Sequence, residues 1–377
     1  MQFTRYSNSP EIYRKWSALA TISAALQRKV WLRINGSQIF PNLFVLLCGA
    51  PGIGKSQAIN PCRDLLSELP NICLSPARTS PEKFIQLMCK STRMLPLENN
   101  PYFTQSAYAV FMSEFSTFLR PNDKDFMTVL TDLYDCAKTW TYATLARDEE
   151  RIENVYLTMI GGITPKALAE NFGAAAFGMG FTARLNIIYS EDYKTPKLFG
   201  QTTVPDFSPL LQILSRIHAL SGEFTFEPDA AEELQAWVDE GMPPIPSDGR
   251  LAEYVPRRWL HLVKLCMIYS ACESNSLRVA KRHLAQARST LLEAESVLAK
   301  AVEYLGTNPM MEAVRNIHAW LKLEYRKSKT PILEKFLKHK LLHDVGPQYI
   351  NQFILELVNS GYAQMVGDGP TRAYIPL

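Results

Sequence analysis

The 377-residue chain is 47% hydrophobic and 20% charged, the balance of a globular protein long enough for two or three cores and not of a disordered one. Its formal net charge of +3 is too small to mark the whole chain as a nucleic-acid binder, so any basic surface has to be local. Seven cysteines, an odd number with no CxxC or Cys/His grouping, read as buried thiols in a reducing cytosol; no apolar run reaches the ~20 residues of a membrane helix, and the polar opening MQFTRYSNSP carries no secretory signal. The expectation is a cytoplasmic protein with no membrane partner.

In chain order, residues 10–28 space their apolar side chains as an amphipathic helix behind Pro10. Asn35-Gly36 between residues 30–34 and 38–40 is a two-residue hairpin signal. The apolar run LFVLLC at 43–48 suits a strand buried on both faces of a parallel sheet. Helical sequence follows to about residue 69, then an extended stretch, then a helix from Pro81 to about residue 89. AYAVFM (107–112), VYLTMI (155–160) and LNIIY (185–189) read as further buried strands, with a helix over 126–134. Strands alternating with helices predict an open α/β sheet. The character changes near Pro196: residues 205–306 read as helical, with a long amphipathic stretch over 277–305. Gly306-Thr307-Asn308-Pro309 is a linker signal. The remainder reads as helices at 310–325, 331–340 and 348–360, then a β pair around Asp368-Gly369, the order of a winged helix-turn-helix. The expected divisions are 1–42 (helix and hairpin), 43–204 (core), 205–306 (helical lid) and 307–377 (winged helix).

Gly49-Ala50-Pro51-Gly52-Ile53-Gly54-Lys55-Ser56 fits the phosphate-binding pattern G-x-x-x-x-G-K-[S/T] completely. Its glycines let backbone N–H groups turn around phosphate oxygens, Lys55 reaches the β- and γ-phosphates, Ser56 holds Mg²⁺, and the following helix, with Gln57, aims its positive end at the same anion. Pro61 falls in the second turn of that helix, where a kink is expected. Ser113-Glu114 ends the 107–112 strand. A serine stands where an acid is usual in P-loop motors, which leaves Glu114 alone as the base.

The order GAPGIGKS, VFMSEF, LTMIGGITP, GFTARLNIIY and RRWLHLVKL resembles that of AAA+ helicase motors over about residues 10–305. The likeness is to minichromosome-maintenance-type helicases and, more so, to related phage and mobile-element helicase-like proteins. The resemblance implies an AAA+ parallel-sheet core with a helical lid, and an ATP-driven homo-oligomer, a hexamer, acting on single-stranded or forked DNA with ATP and Mg²⁺. It implies that Thr164 is the polar sensor, that Arg184 is an arginine finger for a neighbouring subunit, and that Arg257 or Arg258 is the lid sensor. It also implies a basic hairpin tracking DNA, which here spans residues 138–151: Lys138, Arg147 and Arg151 would meet phosphates, and Trp140 or Tyr142 would stack on bases. Lys327, Lys329, Lys335, Lys338 and Lys340, with His339 and His343, form a basic stripe in the winged-helix segment, as suits either DNA or a protein contact. A replication initiator or helicase loader would share every one of these motifs, and a P-loop small-molecule kinase would share the loop.

Overall fold

The computed structural model describes residues 7–76, 78–97, 100–121, 123–144, 147–176, 180–195, 206–246, 248–303, 309–344 and 347–377. The chain is α/β and divides into two compact units, residues 1–305 and 306–377. In order, the first unit contains α1 (Glu11–Leu26), β1 (Val30–Ile34), β2 (Ser37–Ile39), β3 (Phe44–Cys48), α2 (Lys55–Ser67), α3 (Pro81–Lys90), β4 (Thr92–Leu97), β5 (Asn100–Met112), α4 (Lys124–Tyr134), β6 (Thr139–Thr144), β7 (Arg147–Glu153), β8 (Val155–Ile163), α5 (Pro165–Ala176) and β9 (Leu185–Tyr189). It continues with α6 (Ser208–His218), β10 (Gly222–Phe226), α7 (Pro228–Asp239), α8 (Arg258–Glu273), β11 (Arg278–Val279) and α9 (Lys281–Glu303).

The main sheet has the order β4-β5-β8-β3-β9. β5, β8, β3 and β9 run parallel, and β4 folds back antiparallel on the first half of β5. Leu74 continues that edge by a parallel bridge to Ala109. Every residue of β3, β8 and β9 is buried, which is why these strands read as unbroken apolar runs. Alternate residues still choose sides. Val45, Leu47, Ala109 and Phe111 pack with α1 and α2, while Phe44, Leu46, Val110 and Met112 pack with α3, α4 and α5. The β3-to-β5 connection therefore covers one face through α2, and the β8-to-β9 connection covers the other through α5. Neighbouring strands β3 and β8 thus lead away in opposite directions, and a crevice opens at their carboxyl ends.

A second sheet has the order β11-β10-β1-β2. Asn35 (φ +48°) and Gly36 (φ +79°) make the β1–β2 turn, as their sequence predicts. β10 lies parallel to both β1 and β11. The stretch read as purely helical therefore contributes two strands to a sheet founded on the N-terminal hairpin. At five and two residues, these strands are too short to show a period. The division expected near Pro196 falls on 196–205, outside the described residues. All seven cysteines are free thiols, and among the described residues no helix is long and apolar enough to cross a membrane.

The second unit contains α10 (Pro309–Ser328), β12 (Ile332–Leu333), α11 (Glu334–Asp344), α12 (Ile350–Asn359), β13 (Ala363–Val366) and β14 (Ala373–Pro376). Its sheet order is β12-β14-β13. Val314, Ile317, Leu337, Phe353, Leu357 and Tyr374 close its core. The helices and the final β pair lie close to where the sequence places them, but the segment read as helical from Pro331 opens with β12, and its helix begins at Glu334.

Lys264 on α8 is enclosed in the core of the first unit. Its ammonium donates to Asn42 Oδ1 at 2.6 Å and lies 3.7 Å from the Tyr134 ring centroid. Burial pushes its pKa from 10.5 down to about 7. Between those values the unfolded chain binds the extra proton, so this group's contribution to stability rises with pH and is least below pH 7. Lys264→Met is expected to gain stability relative to the wild-type chain as pH falls from about 10 to about 6. Calorimetric Tm values across that range test this; a difference independent of pH would contradict it.

Candidate phosphate-binding site

β3 delivers the chain into the crevice, and the turn that follows is built on glycine geometry. Gly52 (φ +80°) and Gly54 (φ +95°) hold backbone conformations that other residues rarely adopt. At Gly54 a Cβ would also stand 2.8 Å from the Cα of Ser9. Gly49 donates its N–H to Ile163 O at the end of β8, which ties the loop to the neighbouring strand. α2 begins at Lys55. Its first-turn amides have no carbonyl behind them, and among the described residues the N–H groups of Gly54, Lys55, Ser56 and Gln57 have no acceptor. Four donors at a helix N-terminus in a sheet-end crevice form a cradle for an anion.

Lys55 is 9% exposed, and its ammonium donates to Gly49 O at 2.6 Å and Ala50 O at 2.9 Å. Burial lowers its pKa, against the opposing pull of Cys48 and Glu114. Ile53 is buried as the loop's anchor, whereas Ala50, Pro51, Gly52, Ser56 and Gln57 are exposed. Gln57 accepts a hydrogen bond from the Ser7 hydroxyl at 3.0 Å. α2 continues through Pro61, where a kink is expected, to Ser67; the missing N–H leaves Gln57 O, in an exposed turn, without its helical donor.

The end of β5 lies beside this loop. Ser113 donates to Asn60 Oδ1 on α2 at 2.8 Å, and Glu114 is exposed, accepting from the Ser116 hydroxyl at 2.6 Å. Gly162 on β8 separates the two halves. A Cβ there would stand 2.5 Å from Ser113 O and 3.4 Å from Lys55 Cβ. A Cβ on Gly161 would meet the Phe115 ring at 2.7 Å. Thr164 follows β8, but its hydroxyl caps α5 by accepting from Ala167 N at 3.2 Å.

The structure gathers Lys55, Ser56, Ser113 and Glu114 in this way, with Thr164 at the end of the neighbouring strand. The predicted arginines lie elsewhere. Arg184 precedes β9, and Leu185 pairs with Phe44 at the start of β3, so Arg184 stands at the opposite end of the sheet. Five strand residues, or roughly 16 Å, separate that end from the loop. Arg184 is 6% exposed and clamped by both oxygens of Asp135, at 3.1 and 2.5 Å, and by Gly180 O at 2.9 Å. The finger expected to reach a neighbour is turned into its own chain. Arg258 is also interior: it is fully buried, paired through two nitrogens with Glu295, both at 2.7 Å, and bonded to Met242 O. Arg257 is half-buried and packs beside the turn at Thr182–Arg184, also remote from the loop.

The 138–151 segment is a hairpin, but its second strand is the charged run itself: Thr139 pairs with Glu153 and Tyr142 with Glu150. Trp140 and Tyr142 stack at 5.7 Å and pack on the core, with Trp140 Nε1 donating to Asp132 at 3.4 Å. The expectation that Trp140 or Tyr142 stacks on bases is corrected: both rings pack against the core. Arg151 is paired with Glu153 at 2.9 Å. The side chain of Arg147 lies outside the described residues. Residues 138–153 hold four acidic side chains against three basic ones, so the hairpin is not a basic one. In the second unit, Lys327 pairs with Glu324 and Lys338 with Glu334, and Lys335 lies over Phe336. The His343 side chain lies outside the described residues.

Sequence reading missed Tyr13, Asn60 and the glycine pair. The Tyr13 hydroxyl donates to Cys48 O at 2.5 Å, at the last residue before the loop, and burial raises its pKa. Nothing in an amphipathic helix distinguishes such a tyrosine from an ordinary core aromatic. Gly161-Gly162 in a fully buried strand was the available signal.

No protein-family model matches the chain, and no curated protein is found similar to it.

Gly162→Ala is expected to cost about 1–3 kcal/mol through overpacking, a fall in Tm of roughly 2–10 °C. Gly249→Ala, which has open space around it, is expected to leave Tm unchanged. Thermal melts of the two proteins make the comparison, and equal Tm values would contradict the close approach at Gly162.

Proposed function

We propose that the chain is an ATP-hydrolysing P-loop protein of the AAA+ kind that works on DNA as an oligomer, its second unit a winged helix. The observation that carries this reading is the set of four unbonded amides at the start of α2, with Lys55 enclosed beside them and Glu114 across Gly162. The residues fit a nucleoside triphosphate. The amides of 54–57 and Lys55 would hold its phosphates, and the exposed Ser56 hydroxyl would serve a Mg²⁺ ion. That ion supplies charge neutralisation on the phosphates. Glu114, exposed at the strand end, takes the proton of an attacking water.

Arg184 and Arg257 stand together at the far end of the sheet, so they cannot serve their own loop. They suit a site completed by a second copy, provided Arg184 exchanges Asp135 for phosphate on assembly. Within this reading, an initiator or loader is favoured over an unwinding motor. Ser113 is bonded to Asn60 in place of a second acid, and Trp140 and Tyr142 of the hairpin pack on the core.

Lys55→Ala is expected to weaken ATP binding by roughly tenfold or more, the loss of a charge-assisted contact, and to abolish turnover. Arg184→Lys, which keeps a cation for Asp135, is expected to be inactive alone and to recover turnover when mixed with the Lys55→Ala protein. Steady-state phosphate release measures both effects, and a lack of recovery on mixing would sink the shared site.

A further inference from the structure

At the end of the sheet remote from the loop, a pocket of about 380 Å³ lies between the second sheet, the β4–β5 edge and the base of the hairpin. Its volume is in the range of small-molecule sites. Trp31, Phe40 and Phe103 give it aromatic walls, and Arg28, Lys138 and Asn154 also line it.

Two features set it apart from an accidental hollow. Arg28 is 7% exposed and has no carboxylate partner among the described residues. Its guanidinium lies 4.1 Å from the Phe40 ring centroid and donates to Val155 O at 2.8 Å and to Cys136 O. A buried cation held by carbonyls and a ring, with no anion, leaves a positive potential that an incoming anion would balance. Lys138 is exposed and has no ion-pair or hydrogen-bond partner for its ammonium among the described residues. Its backbone is fixed by Asn154, which donates its N–H to Lys138 O at 2.7 Å and its side-chain amide to Thr104 O at 2.6 Å. Glu223, on the strand beside Trp31, is occupied by Trp31 Nε1 at 3.1 Å and Arg33 at 3.5 Å.

Flat aromatic walls, two uncompensated cations and amide groups together match a base joined to a phosphate. We infer that this pocket takes one unpaired nucleotide of a single-stranded nucleic acid, its base stacked on Trp31 and Phe103 and its phosphate on the Lys138 side. Stacking needs a base free of its partner, which a duplex does not offer. The inference deepens the DNA reading above and rests on it for the source of the nucleotide. The strand is placed on different residues from the hairpin aromatics, at the end of the sheet away from the triphosphate, so both can be bound at once.

The test is fluorescence anisotropy of a labelled thymidine oligonucleotide of about 12 nucleotides, titrated with the full chain. Trp31→Leu and Phe103→Leu are each expected to weaken binding roughly tenfold, the range for one lost base stack. Lys138→Ala is expected to weaken it several-fold and to reduce the slope of log affinity against log salt by about one. Circular dichroism confirms that each variant is folded, and Met94→Leu, at an exposed site on β4, serves as the neutral control. Unchanged affinity in folded Trp31→Leu and Phe103→Leu, or no binding by the wild-type chain, would overturn the proposal. Free thymidine monophosphate binding as tightly as the oligonucleotide would overturn the assignment to a strand. ATP turnover measured without DNA reports on the shared nucleotide site and not on this pocket, so failure of one reading is separable from failure of the other.

Discussion

The architecture of the candidate site depends on one close approach. At the end of β8 two glycines present no side chain, and the Phe115 ring, Ser113 O and Lys55 Cβ occupy the space that side chains would fill. Without that approach the β3 loop and the β5 exit would be spread apart, and the enclosed ammonium of Lys55 would no longer sense Glu114. The flanking strands leave no room for compromise, because β3 is hydrogen-bonded on both edges and buried on both faces.

Much of this was legible in the sequence, for physical reasons. The loop at 49–56 makes demands on the backbone that few residues satisfy, so its pattern survives without context. The buried strands announce themselves because a strand covered on both faces has no polar side to show. The Asn35-Gly36 turn is explicit for the same kind of reason. The arginines were not legible. Arg184 and Arg258 owe their places to Asp135 and Glu295, 49 and 37 residues away in the chain, and nothing local distinguishes a clamped arginine from a displayed one. Trp140 and Tyr142 show the same ambiguity: alternation identifies a hairpin but does not say which face meets the core.

The polar chemistry of the first unit lies at both ends of one sheet. At the carboxyl ends of the strands, unbonded amides and Lys55 form a cradle. At the amino ends, Arg184, Arg257, His261 and Lys264 gather around Tyr134, and burial drives His261 down to about 4. Arg184 and Arg258 are neutralised there by carboxylates, Lys264 by carbonyl and ring contacts. Arg28, on the same side, has carbonyl and ring contacts alone. Lys264 is compensated in the same way as Arg28, so what sets Arg28 apart is its place in the wall of a pocket.

The second sheet has a consequence for how the molecule can be divided. β1 is an interior strand, with β2 on one side and β10 on the other. A shortened protein beginning after residue 42 would therefore lose more than a leading appendage. It would remove both strands of the hairpin, leave β10 and β11 as a two-stranded remnant, and take from Phe224 its strand partner Leu32. The first forty residues are a keystone for the helices two hundred residues later, and the smallest autonomous folding piece of this unit has to include both.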